Sequence, residues 1–156
     1  MCLYISTKFH RSVNWEYRAK KVGNKPLLVW KLLEYNEKIK GYATPYQFLP
    51  ITFENGMKVV EGMGFRTVVE RPLVNSAQVN EGVHAYRTTN ISRNAITKAY
   101  DLSGWKFERF PAIIPSGEKY FIGQDGDIVA SRMIIFKNKR SLKNYLNGKE
   151  TITIKD

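Results

Sequence analysis

Apolar and polar residues alternate with a period of two over several short stretches of this chain, each closed by Gly, Pro, Asn or Asp, which predicts strands joined by turns. Residues 2–5 are a first short strand. Residues 6–25 form a polar, basic arm in which Trp15 and Tyr17 either anchor the arm to the body or, beside Arg18, offer faces for stacking on bases. The run Leu27-Leu28-Val29-Trp30-Lys31-Leu32-Leu33 is apolar for a strand's length and predicts a central strand bounded by Pro26 and by Asn36-Glu37-Lys38. Pro45 and Pro50 make residues 41–50 an irregular aromatic segment, whose Tyr42, Tyr46 and Phe48 fit packing under a loop or lining a pocket for a flat ligand.

Asn55-Gly56, between residues 51–53 and 57–60, predicts a tight hairpin with strands on both sides, because a type I′ turn needs positive φ at both central positions. Residues 65–70 alternate as another strand, and residues 72–78 read as a connection. Residues 105–114 predict a strand ended by Pro115-Ser116-Gly117; residues 120–122 and 128–130 flank a second hairpin at Asp125-Gly126; residues 133–136 are one more strand. Residues 141–147 predict a short helix ending at Gly148, and residues 151–154 a last strand or ordered tail.

The period changes in the stretch 80–104. Val83, Ala85 and Arg87 alternate with Gly82, His84 and Tyr86 as in a strand. Ile91, Ala95, Ile96, Ala99 and Leu102 then recur at helical spacing, with Thr89 or Asn90 placed to cap the first turn and Gly104 to end the last. Tight hairpins cannot join parallel strands. The pattern therefore predicts a single α+β domain over residues 1–156, mainly antiparallel sheet, with the helix at 91–102 as its principal helix.

Composition narrows the class. With 156 residues, 43% hydrophobic and 13% aromatic, the chain can bury a core without staples, and no apolar run approaches the roughly 20 residues that span a bilayer. Cys2 is the one cysteine, so no internal disulfide forms, and no Cys/His cluster has zinc spacing. Asp125-Gly126-Asp127 lacks the later acidic ligands of a calcium loop. No cofactor and no metal are expected. Cys2-Leu3-Tyr4-Ile5 meets Lys8, His10 and Arg11 without an apolar signal segment, which predicts a cytoplasmic protein with no membrane association.

Charge adds a partner class. The chain carries 25 Lys and Arg against 14 Asp and Glu, a net +11, so its expected partner is anionic: a nucleic acid, a nucleotide or an acidic protein. The excess is uneven. Lys8, Arg11, Arg18, Lys20, Lys21 and Lys25 face Glu16 alone in the arm, and the basic segment at 137–156 opens with Lys137, Lys139, Arg140, Lys143 and Lys149 before any acid. Lys20, Lys21, Arg87, Lys137, Lys139, Arg140 and Lys143 are the candidate phosphate-binding residues; solvated loop lysines are the plain alternative. His84 reads either as a general base or ligand-binding imidazole beside a helix N-terminus, with Tyr86 and Arg87 next to it, or as a core histidine with both nitrogens satisfied.

Several short motifs together resemble a family of small phage and prophage proteins: Cys2-Leu3, Val29-Trp30-Lys31, Pro45-Tyr46, Gly82-Val83-His84-Ala85-Tyr86 with Ala95 in the following helix, Ala112-Ile113-Ile114-Pro115-Ser116-Gly117, Tyr120 and Ala130-Ser131. The resemblance spans most of residues 2–136 and implies a compact, mainly β domain with one principal helix and a phage or prophage origin. It brings no established chemistry, and the arm at 6–25 and the segment after Phe136 do not match it.

There is no P-loop, dinucleotide-binding glycine fingerprint, nucleophile elbow or histidine-rich metal helix. The leading expectation is a non-enzymatic accessory protein that binds a phosphate-bearing ligand, nucleic acid or nucleotide signal, in a bacterial host. One alternative is an ADP-ribosyltransferase-like enzyme that assembles His84, Tyr86 or Tyr120, and Glu118 around nicotinamide dinucleotide, an analogy at the level of fold. The other is a structural or interaction component of a phage particle, for which homo-oligomers are the expected form.

Overall fold

The computed structural model describes residues 3–10, 12–13, 16–45, 49–62, 67–70, 76–79, 82–90 and 106–154. The apolar run of the sequence forms β5 (Leu27–Asn36), and β12 (Lys106–Ile114) pairs antiparallel with it from Leu27↔Ile114 to Tyr35↔Lys106. The strand runs on past its apolar part because Glu34, Tyr35 and Asn36 find partners on the other edge as well, in β6 (Gly41–Ala43).

That other edge is shared. Beyond Glu34–Asn36, which belong to β6, only Trp30 has a registered partner, Tyr86 in β11 (Val83–Tyr86); at the N-terminal end Leu28 N–H donates to Ile152 O at 2.8 Å and Ile152 N–H to Pro26 O at 3.0 Å. The tail thus adds an isolated parallel bridge, Ile152↔Leu27, instead of a full strand. All registered strand pairs are antiparallel, as the hairpins require.

The main sheet continues from β11 through β14 (Asp127–Ala130) and β13 (Lys119–Ile122) to an edge strand, β4 (Lys20–Lys21), and from β12 through β15 (Arg132–Phe136) to the other edge, β8 (Met57–Glu61). β7 (Pro50–Ile51) lies beside β6; β1 (Leu3–Tyr4), β10 (Ser76–Val79) and β9 (Thr67–Glu70) form a small second sheet, and β2 (Ser12–Val13) and β3 (Glu16–Tyr17) a hairpin in the arm. The arm is therefore partly strand, and the segment expected as a connection before His84 contributes β10.

Alternation along the strands separates two buried faces. Val29, Leu33, Ala85, Ala112, Ile128 and Ile135 lie on the first, in a cluster that reaches from Val22 beside β4 to Val60 on β8. The second face is covered in two places. Phe121 and Val129 pack under Leu3, Ile5, Tyr17 and Val79, while Ile113, Ile134 and Phe136 pack under α1 (Lys139–Leu146) through Leu142 and Leu146. Burying each such side chain stabilises the fold by about 1.5–3 kcal/mol. Tyr17 is thus the anchor of the arm; Trp15 lies outside the described residues.

The turn chemistry is as expected, but one hairpin partner is not. Asn55 (φ 55°) and Gly56 (φ 77°) both take left-handed conformations, and Glu54 and Met57 exchange backbone hydrogen bonds. Yet β8 pairs with β15 and Ile51 with Tyr42, so the strand expected before the turn stays away from the one after it. At the second hairpin Gly126 (φ 82°) takes positive φ and Gly123 N–H donates to Asp127 O, a longer loop than a two-residue turn. Pro111 sits inside β12 without harm, because β15 registers with Ala112 and Ile113 and not with Pro111.

Helix is described in two places. Thr89 and Asn90 are helical, but the principal helix expected at 91–102 lies outside the described residues, and the helix seen docked on the sheet is the short C-terminal one. Asn138 caps α1 by accepting from Ser141 N–H at 2.9 Å; Asn147 (φ 35°) and Gly148 (φ 90°) end it in left-handed conformations.

Candidate functional site

The basic side chains named from the sequence fall in separate places. Lys20 and Lys21 form the exposed edge strand β4, with Lys21 directly opposite Lys119. Lysines on an edge strand discourage pairing with another chain, which accounts for this pair without a ligand. Arg87 follows β11 and stacks its guanidinium 5.2 Å over the ring of Phe9.

Lys137, Lys139, Arg140 and Lys143 are all exposed at the start of α1 and along it. Leu142 and Leu146, one turn apart, turn one side of the helix to the sheet, so Lys139, Arg140 and Lys143 share one solvent-facing flank. Among the described residues none of the four is in an ion pair. The first turn contains no acid; Lys139 and Arg140 stand there instead, at the positive end of the helix dipole. The two basic segments of the sequence do not merge: β13, β14, β11, β5 and β12 lie between β4 and β15. They touch through Lys25 and Glu150, 2.8 Å apart, in a contact that neutralises charge.

The three catalytic candidates are not assembled. His84 and Tyr86 share the second face of β11, but Glu118 precedes β13, with β14 between, and its Oε2 accepts from Ser131 Oγ at 2.7 Å. Tyr42, offered as a pocket residue, stacks edge-on against Phe110 with ring centroids 4.9 Å apart and donates its hydroxyl to Glu108, which holds the phenol up at about 12. Tyr46 and Phe48 lie outside the described residues.

The two histidines differ in how their ring nitrogens are met. His10 is the satisfied core histidine: 3% exposed, its Nδ1 donates to Arg18 O at 3.1 Å and its Nε2 accepts from Ile122 N–H at 2.9 Å. Those bonds fix one neutral tautomer, and burial lowers its pKa. His84 is the unsatisfied one. Its Nδ1 is buried and without a hydrogen-bond partner among the described residues, and burial, then the nearby Lys31 charge, push its pKa down to about 4.

Lys31 itself escaped the sequence. It is 6% exposed, and its ammonium donates to the main-chain oxygen of His84 at 2.7 Å. Burial is the one cause that moves it, down to about 8, with no carboxylate to offset the loss of water. A signal was present: a lone cation inside a seven-residue apolar run has no wet face on either side of a central strand.

Among the described residues no group of three or more His, Cys, Asp or Glu side chains is placed to hold a metal ion, and no helix is long and apolar enough to cross a membrane. No family model, no curated protein and no solved structure matches this chain.

Proposed function

We propose that this protein binds the phosphate backbone of a nucleic acid through Lys137, Lys139, Arg140 and Lys143, without reading base sequence. One observation carries the reading: Lys139 and Arg140 occupy the first turn of α1, which has no acid. A cation there opposes the helix dipole and costs about 0.3–1 kcal/mol, so solubility alone is better served by placing it elsewhere. A phosphate at the same place is attracted by the cations and by the dipole together. The four side chains are exposed instead of enclosed, which suits successive phosphates of a polymer better than a single nucleotide in a pocket. The motif resemblance supports a phage or prophage setting, with the nucleic acid met inside a bacterial host.

Titration of a labelled DNA duplex across a salt series tests this. If all four cations contact phosphates, log affinity falls against log salt with a slope of about −3 to −4. Lys139→Glu with Arg140→Glu removes most of the binding while leaving the thermal midpoint unchanged or higher, because acids suit that turn. A slope near zero, or a charge-reversed variant that binds like the wild type, refutes the reading.

A further inference from the structure

The aromatic residues where β5 meets β6 have no part in binding at α1. Registered partners set Lys106, Tyr35, Tyr42 and Ile51 in one row across β12, β5, β6 and β7, so their side chains leave the same face of the sheet. Tyr42 is fixed in that row, because its ring meets Phe110 edge-on and its hydroxyl donates to Glu108. Tyr35 packs against that fixed ring, centroids 5.5 Å apart, and is itself 39% exposed. An exposed ring held in place by its neighbours is a preorganised surface for stacking.

Cations surround it. Lys106 stands directly across from Tyr35, and Lys38 and Lys40 are exposed on the turn between Asn36 and its partner Gly41. Lys40 keeps its place at a cost: its φ is 50°, a left-handed conformation that strains lysine and suits glycine. Glu37 and Glu108 stand among these lysines, and the Glu108 carboxylate is engaged by the Tyr42 hydroxyl. Lysine is depleted from protein–protein interfaces, which makes a protein partner a poor fit, whereas an aromatic ring among lysines suits a base and its flanking phosphates.

We propose that Tyr35, Lys38, Lys40 and Lys106 bind a single-stranded stretch of nucleic acid, with an unpaired base stacked on Tyr35 and the lysines meeting its phosphates. The inference rests on the reading of the ligand as a nucleic acid and adds a preference for single strands. The two sites lie apart. α1 packs against Ile113, the partner of Leu28, at the other end of β5 from Tyr35 and, seven residues away, on the opposite face. Either site can therefore fail alone.

The test is anisotropy titration of the full chain with a labelled single-stranded oligonucleotide, in deoxyribose and ribose forms, and with a DNA duplex at the same salt. The form that binds the wild type more tightly assigns the sugar. For that form Tyr35→Ala lowers affinity by roughly 5- to 100-fold while duplex affinity stays unchanged, and Tyr35→Phe restores it, because stacking needs the ring and not the hydroxyl. Lys40→Gly weakens single-strand binding and raises the thermal midpoint, since a contact and a strained φ are removed together. In the Lys137, Lys139, Arg140 and Lys143 charge-reversed variant duplex affinity falls, and the effect of Tyr35→Ala on the single strand persists. No single-strand binding, or binding that Tyr35→Ala leaves intact, overturns the proposal without touching the α1 reading. Tyr35-dependent single-strand binding with no duplex binding supports it and removes the α1 reading instead. Should Tyr35→Ala fail to fold, Lys40→Gly decides: single-strand affinity equal to that of the wild type overturns the proposal.

Discussion

Lys31 Nζ lies 2.7 Å from the carbonyl oxygen of His84, a residue 53 positions further along the chain. A charged side chain thus holds a strand carbonyl between the stretches of β5 that pair with β11 and with β6. The contact ties the stability of the sheet to the protonation of one amine.

That link has a sign. Lys31 titrates near 10.5 when unfolded and near about 8 in the fold, so between those values the unfolded chain holds more protons and stability rises with pH. The rise attributable to Lys31 is on the order of 3 kcal/mol. Lys31→Met lacks it, and near neutral pH the variant is about as stable as the wild type or more so, since a buried uncompensated charge has been removed. Urea unfolding of both proteins from about pH 7 to 11 measures the difference.

Acid acts through the histidines. Both have pKa values lowered by burial, His84 to about 4, so stability is complete above the unfolded value near 6.5 and declines as pH falls through the folded values. For His10 the structural cause is explicit, because a histidinium cannot accept the Ile122 N–H. His10→Ala leaves that amide and Arg18 O without their partner and costs about 2–3 kcal/mol. In hydrogen exchange the Ile122 amide loses protection in the variant; unchanged protection would show that His10 does not hold the arm.

Gly56 is fixed twice over. Its φ is 77°, and a Cβ there would fall on Ser141 of α1, with Ser141 Cβ at 2.9 Å and Oγ closer still. Gly56→Ala is expected to destabilise by about 1–3 kcal/mol. Adding Ser141→Gly recovers part of the loss, the steric part, although glycine also weakens the helix. Thermal midpoints of the single and double variants separate the two contributions.

Docking of α1 rests on Leu142 and Leu146 against Ile113, Ile134 and Phe136. Leu142→Ala costs about 2–4 kcal/mol through the cavity it leaves. If the basic flank binds nucleic acid as proposed, that affinity falls at temperatures where the helix has detached and recovers on cooling, because docking holds the flank in place. Parallel melting and binding curves test the coupling.

Local chemistry determined much of this fold. A continuous apolar run located β5, the period of two located β11, and the turn at Asp125-Gly126 located the strands that flank it; Asn55-Gly56 specified a turn with positive φ at both positions; Asn138, Asn147 and Gly148 delimit the C-terminal helix expected near 141–147. These features depend on backbone sterics and near-neighbour hydrogen bonds, which a few adjacent residues carry with them. The basic flank was legible for a related reason, since exposed cations need no distant partner. Partner choice was not legible. Nothing near Met57 says that β8 pairs with β15, nothing near His10 names Ile122, and nothing near Lys31 names the carbonyl of His84. Each of these is a question of desolvation, and whether a group loses its water is decided by segments far away in the chain.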